Sequence, residues 1–179
     1  MPRNRRPRER DEKLHELVTT AARLFSEEGF DQTSMTRIAR AAGVTANTIY
    51  WYVDDKDALL VAALDHLLTD ALQQLDEAAG TTLLDQATWT LGQLQRHRNL
   101  ISVVHARSEQ SEVVATWHDA FHALVDSFVM DGLARQGVEG QDLETMARLT
   151  TFAVEGLLAH PTDPDTSRTV LGLALSPRV

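Results

Sequence analysis

The chain has 179 residues, no cysteine, 43% hydrophobic residues and a formal net charge of −9. That is long enough for one large domain or a small head with a larger body; the missing cysteines exclude disulfide and thiolate chemistry. No apolar run approaches the roughly 20 residues that cross a bilayer, so no membrane partner is expected.

Leu14, Leu17, Val18, Ala21, Leu24 and Phe25 fall at helical spacing and predict a first helix that ends at Gly29. Before it, MPRNRRPRER carries five Arg against one Glu and runs into charged residues rather than an apolar signal segment. This arm is expected to be disordered in the free protein, and a cytoplasmic location is expected for the whole. A second helix should start at Thr33 or Ser34, either a good N-cap, and stop at Gly43. A third follows Thr45 over 46–53, and a fourth follows Asp55 and runs to about Ala79, before Gly80. Further helices are expected at about 82–97, 99–107, 111–136, 142–159 and 165–175, set off by Gly137, Gly140, Pro161 and Pro164. No stretch alternates with period two, so the chain reads as all-α.

Charge divides the chain. Residues 1–57 hold 10 Lys+Arg and 10 Asp+Glu, so the entire −9 falls on residues 58–179. An acidic body behind a balanced head with a basic arm is compatible with nucleic-acid contact through the head. The arm taken alone reads equally well as a solvated tail. The expected domains are therefore 1–57, a basic arm and DNA-binding head, and 58–179, a helical body.

The head carries the chemistry. IARAAGVTANTIYWYVDDKDALL, residues 38–60, is a short helix, a glycine turn and a second short helix. Gly43 permits a left-handed turn, Val44 can staple onto Ile49, and two short helices so joined form a helix-turn-helix. That motif projects the first turn of its second helix into a DNA major groove. Three successive aromatics, Tyr50, Trp51 and Tyr52, cannot all face one core, because helical neighbours point about 100° apart. Ala46, Ile49 and Val53 share the core side; Asn47, Thr48 and Trp51 lie opposite, flanked by Tyr50 and Tyr52. Asn reaches adenine in a bidentate way, and tyrosine hydroxyls donate to phosphate. Lys56, in the first turn of the next helix, suits a phosphate as well. Packing against the neighbouring helices is the alternative role of these aromatics. The residues expected to contact DNA are Thr33, Ser34, Thr36, Thr45, Ala46, Asn47, Thr48, Tyr50, Trp51, Tyr52 and Lys56.

The run LFSEEGFDQTSMTRIARAAGVTANTIYWYVDDKDALL resembles the DNA-binding head of the tetracycline-repressor (TetR) family of transcriptional regulators. The resemblance covers about residues 14–60 and rests on Ala22, Phe25, Gly29-Phe30, Thr33-Ser34, Ile38-Ala39, Ala42-Gly43-Val44, Thr48-Ile49-Tyr50, Lys56 and Leu59-Leu60. Trp51 stands where the family more often has a smaller or phenolic ring, and Val53 where it usually has Phe. The resemblance implies a homodimer, a palindromic double-stranded operator, and a body that binds a small-molecule effector.

The body offers no motif of its own. Val113, Val114, Trp117, Phe121, Leu124, Val125 and Phe128 form one broad apolar arc, which is ordinary core spacing. Because the resemblance places an effector pocket in the body, Trp117, Phe121 and Phe128 are candidate linings, with His118 at the edge of the arc. His105 and Trp89 are further candidates. His118 and His122 stand four apart and could share a metal, yet His122 lies off the arc, and Glu109, Asp119 and Asp126 are only possible third ligands. No metal and no cofactor is therefore expected. Helix 142–159 has apolar residues on two sides, Leu143, Val154 and Leu157 against Leu149 and Phe152, and so needs two partners; the second would be its equivalent in another subunit.

Three classes compete. A DNA-binding repressor released by an effector, apolar and neutral or cationic, fits best. A DNA-binding regulator that answers to a protein partner is the alternative. An enzyme fits least, since there is no Gly-rich phosphate loop, no nucleophile elbow and no metal-ligand cluster of established spacing.

Overall fold

The computed structural model describes residues 7–78 and 82–176. Expectations placed on residues 1–6, Ala79 and Gly80 lie outside that range. Nine helices cover the described residues: α1 (Pro7–Glu27), α2 (Met35–Ala41), α3 (Ala46–Ile49), α4 (Lys56–Ala78), α5 (Leu83–Arg96), α6 (Arg98–Ser108), α7 (Glu112–Ala134), α8 (Gln141–Ala159) and α9 (Pro164–Ala174). No strand occurs among them, as the missing period-two pattern implied.

Two compact units emerge, one made of residues up to Asp70 with Asn99–Trp117, the other of Ala71–Arg98 with the residues from His118 on. In the first, α1 buries one stripe, Leu17, Val18, Ala21, Ala22, Leu24 and Phe25. Against it lie Ile38 and Ala39 of α2, Ile49 of α3, and Leu59, Leu60 and Ala63 of α4, all essentially inaccessible. Leu100, Val104 and Val114 complete this core, so packing draws α6 and the start of α7 into the unit that holds the head. In the second unit, α5, α8 and α9 pack on one another. Leu91, Leu157 and Leu171 form one cluster there, and Leu83, Val129, Leu133, Val138, Met146, Ala147 and Leu175 another.

Two element ends depart from expectation. α1 begins at Pro7, so residues 7–10 of the basic arm are helical rather than disordered. Proline suits a first helical position, where its missing N–H costs nothing. α3 spans only Ala46–Ile49 instead of 46–53. Beyond Ile49 the chain tightens into turns, with Trp51 N–H donating to Thr48 O at 3.1 Å and Tyr52 N–H to Ile49 O at 3.0 Å.

Gly43 has φ +67°, and nothing lies within 4 Å of a Cβ built there. Gly43→Ala should therefore cost only the backbone penalty of left-handed geometry, about 1–2 kcal/mol. Gly43→Asn should recover part of it, since Asn tolerates that region. Denaturant unfolding of both variants against the native chain measures the difference.

Candidate nucleic-acid interface

The helix-turn-helix is fastened by its backbone. Ser34 caps α2, its hydroxyl accepting from Arg37 N–H at 3.1 Å. The turn closes with Ala42 N–H on Ile38 O at 2.9 Å and Val44 N–H on Ala39 O at 2.8 Å. Lys13 of α1 donates through Nζ to Ala42 O at 2.9 Å, placing a cation at the negative end of α2. Thr45 caps α3 by accepting from Thr48 N–H at 3.2 Å, and the two hydroxyls lie 2.8 Å apart. Two hydroxyl protons serve one mutual bond, which leaves one proton for an outside acceptor.

The expected DNA contacts sort by exposure. Asn47 is exposed, with no hydrogen-bond partner among the described residues. Tyr50 is 54% and Trp51 80% exposed. A tryptophan so bare contributes little to its own fold, and this resolves the aromatic triplet: two rings face outward. Tyr52 instead packs on the core beside Val53, the alternative role of these rings. Ser34, Thr36 and Thr45 are exposed, Thr48 and Ala46 half-buried. Ala46 is not among the residues packed on the core, whereas Ala42, Val44 and Val53 are.

Thr33 leaves the set. Its side chain is completely buried and its hydroxyl donates to Gly29 O at 2.8 Å, tying the end of α1 to the start of α2. Lys56 is also engaged: its Nζ stands 4.1 Å from the centre of the Phe30 ring. Burial lowers its pKa, opposed by Asp31 and Asp57 and reinforced by Arg107. Arg107 ion-pairs with Asp57 and approaches the same ring at 5.8 Å. Asp55 caps the helix that Lys56 opens, accepting from Ala58 N–H at 2.8 Å. Sequence reading passed over two exposed cations on α2, Arg37, paired with Glu28 at 2.7 Å, and Arg40 in the last turn. The signal was there: a basic residue at the polar positions of a helix-turn-helix.

The candidate effector residues divide between the units. His105, exposed on α6, and Trp117 belong to the first unit; Trp89, His118, Phe121 and Phe128 belong to the second. Trp117 packs on the core of the first unit and its Nε1 donates to Asp65 Oδ1 at 2.7 Å. Both contacts are structural, so the leading candidate from sequence is a packing residue. Phe128 packs on the larger core of the second unit, and Phe121 meets the His122 ring edge-on at 6.0 Å. A groove of about 400 Å³ lies along α8, lined by Gln141, Glu144, Thr145, Arg148, Leu149 and Phe152; none of the six candidates borders it. His118 Nε2 and His122 Nε2 are 3.1 Å apart.

Comparison with known proteins agrees with the head. Residues 17–63 match the family of bacterial regulatory proteins, tetR family. An HTH-type transcriptional regulator of Bacillus subtilis, YvdT, is 24% identical over 162 residues, covering 83% of this chain and 82% of that protein. Among solved structures, a TetR transcription regulator from Haloarcula marismortui superposes with a TM-score of 0.75 at 18% identity, over 92% of this chain and 97% of the other. A transcriptional regulator from Saccharomonospora viridis, solved in complex with choline, gives 0.68 at 18% identity, over 90% and 94%. No described helix is long and apolar enough to cross a membrane. Residues 17–63 thus form a head of the tetR family of bacterial regulatory proteins, and the chain as a whole is similar to regulators of that family.

Proposed function

We propose that the protein is a sequence-specific transcriptional repressor that binds a palindromic operator as a homodimer and is released by a small-molecule effector. The observation that carries the DNA half is the tip of the helix-turn-helix, where Asn47, Tyr50 and Trp51 stand exposed on a segment whose remaining side, Ile49, is wholly buried. Asn47 reads a base, Tyr50 and Trp51 cover the sugar-phosphate edge, and Arg40 supplies sequence-independent charge. The functional division stays at residues 57 and 58, since the DNA-contacting residues all precede it.

Asn47→Ala should cost about 1–3 kcal/mol on the operator and relax base preference at one position. Arg40→Ala should weaken all sequences alike and flatten the salt dependence by about one counterion. Titrating operator and random duplexes at several salt concentrations separates the two effects; equal losses on both duplexes for Asn47→Ala would remove it from base reading.

Dimerisation is assigned to α8 and α9. Phe152 is 61%, Leu149 42% and Leu173 73% exposed on these helices, an apolar surface that a second copy would cover. Phe152→Glu should give folded monomers with much reduced operator affinity. A variant that sediments as a dimer would move the interface elsewhere.

The effector half draws on charge. The acidic residues 58–179 disfavour anions, and the choline bound to a regulator of the same fold is a small cation. Apolar neutral or cationic compounds are therefore the class to screen for operator release, and release requires about 100-fold or greater preference for the non-binding state. Anions alone releasing the operator would overturn this assignment. The alternative of a protein partner predicts that no small molecule does so.

A further inference from the structure

We propose that His118 and His122 of α7, together with Glu155 of α8, bind a divalent transition-metal ion of the Zn²⁺ class. The two Nε2 atoms face each other at 3.1 Å. Tetrahedral zinc bound at about 2.0–2.1 Å places two ligand nitrogens roughly 3.3 Å apart, so the pair needs almost no adjustment. Histidines one helical turn apart on one face are a recurrent zinc chelate.

The third ligand comes from a register between helices. Thr151 of α8 donates to Asp126 Oδ1 of α7 at 2.7 Å. One turn on from Asp126 toward the N-terminus is His122, and one turn on from Thr151 toward the C-terminus is Glu155. The next rung of this antiparallel pair therefore joins His122 to Glu155, and the structure places His122 Nε2 3.7 Å from Glu155 Oε1. A nitrogen and an oxygen on one zinc ion lie about 3.3–3.5 Å apart; Glu155 stands beside His122 rather than between the two histidines, and its side chain, 43% exposed, has to swing to join both on one ion. The same register removes Asp126 from the candidates, because Thr151 occupies it.

Asp119 completes the arrangement. Its Oδ1 lies 3.7 Å from His118 Nδ1, the nitrogen opposite the one that faces the site. A carboxylate there favours a proton on Nδ1 and leaves the Nε2 lone pair for a metal. The imidazoles are partly shielded, at 24% and 27% exposure, while Glu155 keeps the site open to water. Two nitrogens and one carboxylate suit Zn²⁺ better than Mg²⁺ or Ca²⁺, and the fourth position stays available to water or to an incoming donor. All these residues lie in the second unit, so the proposal stands apart from the DNA-binding reading.

The test is a competition titration of the metal-free full chain with Zn²⁺ against a chromophoric chelator, with circular dichroism to confirm helix content. One saturable ion per chain is expected. His122→Asn and Glu155→Gln should each weaken it by at least the 10–100-fold that losing an outer-shell partner costs; Asp119→Asn should weaken it less. Mg²⁺ should not compete. An absence of saturable Zn²⁺ binding would mean that the facing imidazoles simply share a proton, and the proposal fails. It fails equally if folded His122→Asn and Glu155→Gln bind Zn²⁺ as the native chain does.

Discussion

A helix of four residues has no stability of its own. Forming a first helical turn fixes several backbone torsions for a single hydrogen bond, and nucleation constants are of the order of 10⁻³. α3, Ala46–Ile49, must therefore be held in place entirely by its surroundings. The complete burial of Ile49 fixes one side, Thr45 caps the start, and Val44 N–H donating to Ala39 O at 2.8 Å fixes the entry. Lys13 reaches across from α1 to the carbonyl of Ala42 and ties this turn to the helix that carries the main buried stripe of the unit. The outward residues carry none of this load. That division lets Asn47, Tyr50 and Trp51 be chosen for an external partner without loss of the fold.

The electrostatics of the head follow a similar economy of roles. Several of its charges are already committed: Arg23 to Glu27, Arg37 to Glu28, and Asp57 to Arg107 of α6. Lys56 rests on Phe30. Exposed pairs such as those of Arg23 and Arg37 are worth at most about 1 kcal/mol each, so they orient side chains more than they stabilise. Under the proposed function, a phosphate would compete with a carboxylate for Arg37, whereas Arg40 has no ion pair among the described residues to break. A head neutral overall thus presents positive charge at selected points, and under the proposed function long-range attraction would not swamp the base contacts assigned to Asn47.

The fold was largely legible because helical periodicity and punctuation are local signals. Gly29, Gly43 and Gly137 all take positive φ where helix ends were drawn, and Ser34 and Thr45 cap as their chemistry suggests. What failed was the assignment of faces. Thr33 looked like a polar residue at a helix entrance; its burial against Gly29 O depends on how α1 meets α2, which spacing alone does not encode. Trp117 shares an arc with Phe121 and Phe128, yet its indole goes to Asp65, a partner 52 residues earlier. Glu155 was missed as a neighbour of His122 for the same reason. Contacts between helices are set by register, and register appears only when the helices are placed.

The two faces of α8 were legible in kind, and they connect to the smallness of α3. One face buries Met146, Ala147, Thr150 and Leu157; the other leaves Leu149 and Phe152 in solvent. Burying one such apolar side chain is worth about 1.5–3 kcal/mol, so a patch that includes a phenylalanine has reason to find a partner. In the proposed DNA-reading role, a four-residue segment with few base-reading side chains cannot reach high specificity alone, since each good base contact discriminates by only about 1–3 kcal/mol. Pairing two chains turns the second half-site into an intramolecular event and multiplies that discrimination with no new contact in either head. A two-fold patch also makes the site two-fold, because a self-complementary surface relates the heads by the same axis. Under the proposed dimer, the bare phenylalanine on α8 and the brevity of α3 are two consequences of one requirement: the molecule reads enough DNA only when it is doubled.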